Sequence, residues 1–309
     1  MPLSNTQASL LSDEQLLSNL VENEPKRIQF ALRFPFYAIG GDRLTVPRVT
    51  AANLGTAVWD EGGSAISDTS AVPSSPNVTF PLKLVATSFK VNDTAEALMS
   101  SVNDQVETQS VAAIKRLYYK FWGTFNTGNS SLNPEEFDGL RQLVSSGQTL
   151  TARDGAGGIP SLRELDQLVG KITANGGRPH VLYTSRKGAE SIRRAYYRAG
   201  ITPEMKATTS EDVDGSRREI PGLAFDGIPV VVDDLVPNDE GSGSQTSIYA
   251  LVVGREGLYG VIPRGFGGRM FRIQAGDVDG KGQRSWVVSW PVSVALESQS
   301  GVARLQKVG

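Results

Sequence analysis

Residues 93–123, DTAEALMSSVNDQVETQSVAAIKRLYYKFWG, decide the architecture. Asp93 has the side chain of a helix N-cap, and Glu96, three residues on, can reach back to the free N–H of the cap. Leu98, Met99, Val102, Val106, Ile114, Leu117, Tyr118 and Phe121 recur at helical spacing, with Val111, Ala112 and Ala113 filling the middle. Neither Pro nor Gly interrupts the run before Gly123. Lys115, Arg116 and Lys120 fall in the expected last turns, where the helix dipole favours cations, and Gly123 is expected to stop the helix in a left-handed conformation. The spacing predicts one helix over 94–122. About 28 residues at 1.5 Å each make a rod of roughly 42 Å, against about 11–12 residues for an ordinary globular helix. A rod this long reads as a spine. One long helix of an ordinary α/β domain is the plainer alternative.

Upstream of the spine the period changes from helical to two. Val78, Phe80, Leu82 and Leu84 alternate with Thr79, Pro81 and Lys83, and the phase then slips, because Val85, Phe89 and Val91 take the other parity. A slip of one residue reverses the faces, so a bulge or bend is expected near Leu84–Val85. Pro81 confines its strand to a sheet edge or a bulge. With RLTVPRV (43–49) before it and the soft segment ISDTSAVPSSPN (66–77) between, residues 43–88 read as a long hairpin with a loose tip. An isolated two-stranded hairpin is marginal in water, so another surface must hold it, and a neighbouring copy of the chain is the natural one. Further upstream, Ser12 and Gln15 make a capping-box pattern for a short helix carrying Leu16, Leu17, Leu20 and Val21. FALRFPFYAI (30–39) is aromatic, extended around Pro35 and too short for a core of its own, so it must lie on something else.

Downstream, Pro134–Val144 reads as a short helix, Ser161–Ala174 as a capped amphipathic helix and Ser185–Ala199 as another, with Arg193, Arg194 and Arg198 outward. His180–Thr184, Ile228–Val232, Ile248–Val253, Leu258–Ile262, Met270–Ile273, Trp286–Val294 and 301–308 read as strands. Alternating helices and strands between about 130 and 260 indicate an α/β layer. The strands of about 258–294 fall outside that alternation and are expected beside the spine. There is no internal repeat.

The totals narrow the function classes. In 309 residues, 31 Lys and Arg stand against 33 Asp and Glu, a net charge of -2. A dedicated nucleic-acid binder would show a basic excess, although a protein that merely encloses nucleic acid need not. With no cysteine there is no disulfide, thiol nucleophile or thiolate metal site. No signal peptide is apparent at the N-terminus, and no apolar run approaches the roughly 18 residues that span a bilayer. The expectation is a soluble intracellular chain with no membrane association.

Chemical constellations are missing. His180 is the one histidine, so there is no His pair for a metal, and no G-x-S-x-G elbow exists for a triad. Asp154–Pro160 (DGAGGIP) and Pro263–Arg269 (PRGFGGR) are Gly-rich, but neither has phosphate-loop spacing, and both read as plain loops. Asp233 and Asp234 could bind a cation, but neighbours in a chain point apart, and solvated or salt-bridged carboxylates are expected. Glu211, Asp212 and Asp214 beside Arg217 and Arg218 read as a polar loop, facing solvent or another subunit. No catalytic, cofactor-binding or metal-binding residues are expected, and no enzyme.

The order of these parts resembles the major capsid proteins of tailed double-stranded-DNA phages, whose fold is shared with encapsulins and the floor domain of herpesvirus capsids. AVWDEGGSAI (57–66) followed by NVTFPLKLVATSFKVNDTAEALM (77–99) looks like that family's extended loop entering its spine helix. NPEEFDGLRQLV (133–144) looks like the start of its axial domain, and DGIPVVVDDLVP (226–237) and IYALVVGREGLYGVIPRG (248–265) like its later strands. The likeness covers about 270 residues in pattern and order, with no single diagnostic motif. It implies an α+β fold with an N-terminal arm (1–42), an extended β-hairpin loop (43–88), a peripheral domain (89–130 and 258–294, with spine helix 94–122) and an α/β axial domain (131–257 and 295–309). It implies a major capsid subunit that forms pentamers and hexamers of an icosahedral virion shell, assembled in the host cytoplasm, around double-stranded DNA bound without sequence specificity. No cofactor is implied. The implied partners are sister copies, a separate scaffolding protein (unless a scaffolding region has been cleaved away), a portal and a decoration protein. Some members join subunits through a loop lysine. Residues 43–82 contain no lysine, so no such crosslink is expected. An encapsulin-type shell around an enzyme cargo is the alternative, and an α/β enzyme with an unrecognised site is a third.

Overall fold

The structure, a computed structural model, describes residue 30 and residues 34–47, 77–92, 105–211, 217–241, 244–264, 271–279 and 282–309. The order is β1 (Phe36–Ile39), β2 (Arg43–Val46), β3 (Val78–Pro81), β4 (Lys83–Asn92), α1 (Gln105–Thr127), β5 (Thr149–Thr151), α2 (Leu162–Thr173), β6 (Val181–Thr184), α3 (Arg186–Arg198), β7 (Met205–Glu211), β8 (Arg217–Phe225), β9 (Ile228–Val232), β10 (Thr246–Leu251), β11 (Leu258–Pro263), β12 (Arg272–Val278), β13 (Gln283–Leu296) and β14 (Val302–Val308). The predicted helix after Ser12, the hairpin tip with AVWDEGGSAI, spine residues 94–104, Asp212, Asp214 and most of PRGFGGR lie outside the described residues.

Two sheets carry the chain. The seven-stranded one runs β5-β14-β10-β6-β9-β8-β7 and mixes parallel pairs (β14 with β5, β6 with β9) with antiparallel ones. Both faces of its centre are covered, so β6 and β10 are buried at every position instead of alternating. Leu182, Ile248 and Ala250 pack with the apolar stripes of α2 and α3. Val181, Tyr183 and Tyr249 turn the other way, into a core shared with α1. Both helices start as their sequences predict: Ser161 caps α2 in a complete capping box with Glu164, and Ser185 caps α3.

The five-stranded sheet runs β1-β11-β13-β12, with β4 also on β13. β13 is its hub. Its first ten residues pair with β4 from Gln283↔Asn92 to Val292↔Lys83, and its end pairs with β11. α1 lies across one face, where Leu117, Phe121, Trp122 and Phe125 meet Trp290, Phe89 and Val91. Rings dominate this core: Phe121 sits 4.8 Å from Trp290, and Phe125 5.3 Å from Phe34, centroid to centroid.

The structure corrects several expectations. α1 does not stop at Gly123 but runs to Thr127, with no cation in its last turn. Thr124, Phe125 and Asn126 are buried, and their packing outweighs the local signal of a single glycine. The stop is Gly128. Its N–H still donates to the Thr124 carbonyl (2.7 Å), and its own carbonyl accepts from Gly139 N–H (2.9 Å), so the following loop crosses the helix end at backbone contact. A Cβ on Gly128 would lie 2.4 Å from the Phe137 carbonyl, and one on Gly139 2.5 Å from that of Thr124. The helix expected over 134–144 is a single turn, Leu140–Leu143, because Asn129 and Asn133 side chains fold the preceding residues into turns. The break in the hairpin strand falls at Leu82, two residues before the expected bend, and β4 then pairs without a shift. Glu211, Arg217 and Arg218, expected in a polar loop, are strand residues of the hairpin β7–β8, with Glu211 opposite Arg217 and Ser210 opposite Arg218 in register.

The two thin parts need no neighbour at their bases. β1 pairs parallel to β11, and Phe30, Phe34 and Phe36 enter the ring cluster beside α1. The described base of the hairpin is a four-residue ladder, β2 on β3, with Val46 and Phe80 in the same core.

Candidate functional site: buried charge and open faces

His180 is a strand-edge residue. Its N–H donates to the Leu251 carbonyl (2.8 Å), and Nδ1 accepts from Val253 N–H (3.2 Å). The ring borders a cavity of about 280 Å³ walled by Phe30, Pro35, Tyr37 and Val253, whose lining has no carboxylate and, apart from the Tyr37 phenol, no hydroxyl. Asp233 and Asp234 point apart, as expected. Asp234 is exposed, 3.7 Å from Arg186. Asp233, only 1% exposed, is neither solvated nor salt-bridged: Tyr183 Oη donates to Oδ2 (2.7 Å) and Leu235 N–H to Oδ1 (2.9 Å). Burial raises its pKa, and those hydrogen bonds offset only part of the rise. Burial, with the Asp233 charge next in weight, also pushes the Tyr183 hydroxyl well above its ordinary range.

The loop 154–160 is a clasp. Burial works against the charge of Glu164, yet hydrogen bonds from the N–H groups of Ser161 (2.7 Å) and Asp154 (3.0 Å) and from Ser161 Oγ outweigh it and lower the pKa. The carboxylate therefore occupies the position that a phosphate would need at the α2 N-terminus.

A second buried charge cluster was invisible in the sequence. Glu240 Oε1 accepts from Arg304 (2.6 Å) and from Ser247 Oγ (2.6 Å), and Oε2 accepts from Lys307 N–H (2.8 Å). Arg304 also donates to Ser247 Oγ (2.9 Å). Arg141 joins from the turn after α1, 3.5 Å from Glu240 and in contact with Asp239, whose pKa it lowers. These groups lie far apart in the chain. NDEGSGS (238–244) reads as solvated, and nothing in it announces that Glu240 turns inward. Glu240's oxygens are all engaged within the protein, so the cluster ties β14, the 237–241 loop and the 140 turn together rather than presenting a reactive group. Among the described residues no three His, Asp or Glu side chains are placed to hold a metal, and no helix is long and apolar enough to cross a membrane.

What the molecule leaves open are faces. On β4, Phe89 is 7% exposed and Leu84, on the other parity, 65%. Opposite Leu84 stands Pro291, opposite Ala86 Ser289 and opposite Ser88 Val287, so the outward face of β4 and β13 is built mainly of small side chains, apolar and hydroxyl mixed, with Leu84 its large apolar group. β12 is exposed along its whole length. Beneath β3 a groove of about 470 Å³ runs between Phe80, Pro81, Phe137, Leu143 and Val294.

No protein-family model and no curated protein matches the sequence. Solved structures do. The holo-SrpI encapsulin complex of Synechococcus elongatus superposes with a TM-score of 0.69 at 21% identity, over 90% of this chain and 87% of that one. The capsid of the native GTA particle gives 0.58 at 14%, over 91% and 90%. Mycobacterium phage Bobi gives 0.57 at 12%, over 90% and 89%. The chain therefore has an α+β fold, the major capsid fold shared by tailed phages and encapsulins.

Proposed function

We propose that the chain is a structural shell subunit, the major capsid protein of a tailed phage. It would form pentamers and hexamers of a virion shell, assembled in the host cytoplasm around double-stranded DNA, with no catalytic step. The observation that carries this is the superposition on shell proteins over nine-tenths of the chain. The open outward face of β4 and β13 and the exposed edge strand β12 supply surface for sister copies. In this reading residues 1–42 are the arm, 43–88 the extended loop, 89–130 and 258–294 the peripheral domain, and 131–257 with 295–309 the axial domain. The two-sheet division supports that partition. Scaffolding, portal and decoration proteins are the further partners, and no cofactor or loop crosslink is needed. The test is expression of the full chain, alone and with the scaffolding protein from its own gene neighbourhood, followed by negative-stain microscopy. Closed particles or rings are expected. Monomers at every salt concentration, with and without scaffold, would sink the proposal.

A second reading, an encapsulin-type shell around an enzyme cargo, is favoured by one observation: the encapsulin superposition scores higher than the GTA and phage ones above. The contents of purified particles separate the two. Nucleic acid at the absorbance ratio of a filled capsid supports the phage, and a stoichiometric second protein supports the compartment.

A further inference from the structure

We propose that the outward face of α3 is the surface through which this chain meets the phosphate backbone of nucleic acid. The proposal rests on the phage-shell reading and names the part of the shell that touches the enclosed polymer. In 13 residues α3 carries Arg186, Lys187, Arg193, Arg194 and Arg198 against a single acid, Glu190. The whole chain is nearly balanced at -2, so positive charge is concentrated on this face. Apolar burial accounts for the opposite side, where Ala189, Ile192, Ala195 and Tyr196 pack on the seven-stranded sheet. It does not require five cations outside.

Internal pairing does not consume them. Arg194 pairs with Glu190, Arg186 stands 3.7 Å from Asp234, and Lys187 donates to the Ser244 carbonyl. Arg193 and Arg198 have no carboxylate partner among the described residues, and both are exposed. Tyr197, 67% exposed, stands four residues after Arg193 and three after Arg194, hence on their side of the helix. A tyrosine hydroxyl among guanidinium groups is a set of donors suited to phosphate oxygens. From Arg186 to Arg198 the axis runs about 18 Å, along which a duplex carries roughly ten phosphates. That is more than enough to neutralise the whole row. Arginine and lysine contacts of this kind are blind to sequence, as packaging requires. They are weak per subunit, and a shell repeats them in every copy.

The experiment is fluorescence anisotropy of a mixed-sequence duplex of about 30 base pairs, roughly 100 Å long, with the purified full chain, between about 50 and 200 mM salt. It compares wild type with R193Q/R194Q/R198Q and with R43Q/K90Q/K120Q, which removes the same charge from the other half of the molecule. Each lost phosphate contact should make the slope of log K against log salt less negative by about 0.9. The α3 variant should therefore lose about 2.7 of slope, so that wild type falls about 40-fold more than the variant over that range. The control variant should keep the wild-type slope. Equal loss in both variants, or loss in neither, overturns the proposal. So does an α3 variant that binds DNA normally but no longer assembles, which would assign the face to a second copy. Particle formation is scored on the same preparations by sedimentation. If wild type forms particles while the slopes do not separate, only the α3 assignment falls. If wild type forms none with or without scaffold, the shell reading falls, whatever the slopes.

Discussion

The two sheets spend their apolar surface differently. In the seven-stranded sheet β6 and β10 are buried on both faces, by α2 and α3 on one side and the ring cluster on the other. In the five-stranded sheet β11 and the end of β13 are likewise enclosed, but β4 and the first part of β13 are closed only on the face toward α1. β4 alternates between exposed and enclosed positions, and β12 is exposed throughout. A sheet closed on both faces by its own chain is complete as it stands. A sheet with part of one face open has surface left for neighbours, and in the shell reading proposed above those neighbours are further copies. If that contrast is right, mutations toward α1 should act on folding and mutations on the outward face should spare it.

The largest effect is expected at Trp290. Its side chain is fully buried, with Phe121 and Phe271 rings 4.8 Å away and Tyr118 stacked at 5.9 Å. Trp290→Ala should cost about 3–5 kcal/mol in urea denaturation of the subunit. A loss below about 1 kcal/mol would mean that the α1 side is not the core described above.

Next come the glycines at the helix end. Gly128→Ala drives a Cβ to 2.4 Å of one backbone carbonyl and 2.6 Å of another, and neither can swing away as a side chain could. A loss above about 2 kcal/mol is expected. Gly123→Ala, five residues earlier, meets nothing within 4 Å inside a continuous helix. It should stabilise by about 0.5–1 kcal/mol. Opposite signs at two neighbouring glycines would show that the terminus is set by backbone crossing rather than by glycine as such.

That pair also marks what the sequence could reveal. Periodicity found α1, α2, α3 and most of the buried strands, because burial on one face writes a period into the chain. It failed where tertiary contact decides. Gly123 looks like a stop until Phe125 and Asn126 are seen in the core. β7 and β8 hide because KATTSE (206–211) and RREIPG (217–222) carry no apolar alternation. Glu240 and Arg304 meet only after the whole seven-stranded sheet has formed. The resemblance to a capsid subunit rested on the order of elements, a property of the entire chain, and so survived these local errors. Thinness alone predicts that the arm and hairpin need an outside surface, but their described bases are anchored within the chain by Phe30, Phe34, Val46 and Phe80.

A smaller effect separates two carboxylates by pH. Glu164 has a lowered folded pKa, so it stabilises above its unfolded value, near 4.5, and that contribution disappears as pH falls through the folded pKa. Asp233 is raised above its unfolded value, near 3.8. Its contribution is complete below that value and disappears as pH rises through the folded pKa. Stability profiles from pH 2 to 7 should therefore diverge. Relative to wild type, Glu164→Gln should lose less stability on acidification, and Asp233→Asn should lose less as pH rises from about 4. Parallel profiles would mean that neither carboxyl is held as its hydrogen bonds indicate.

The smallest effect is the sharpest test of the contrast between the sheets. Leu84 and Phe89 share one strand, pair with the same β13 and differ in parity. Leu84 projects from the open face, so Leu84→Ser removes almost no buried area and should change subunit stability by no more than about 0.5 kcal/mol. Phe89→Ser opens a cavity on the α1 side, where the ring stacks at 6.3 Å on Trp286, and should cost about 3 kcal/mol or more. If both cost the same, the outward face is already covered within a single chain. If Leu84→Ser is silent in the subunit yet weakens particle formation, the energy of that leucine is realised only when another copy arrives, and a solvent-facing apolar side chain on β4 has its physical explanation.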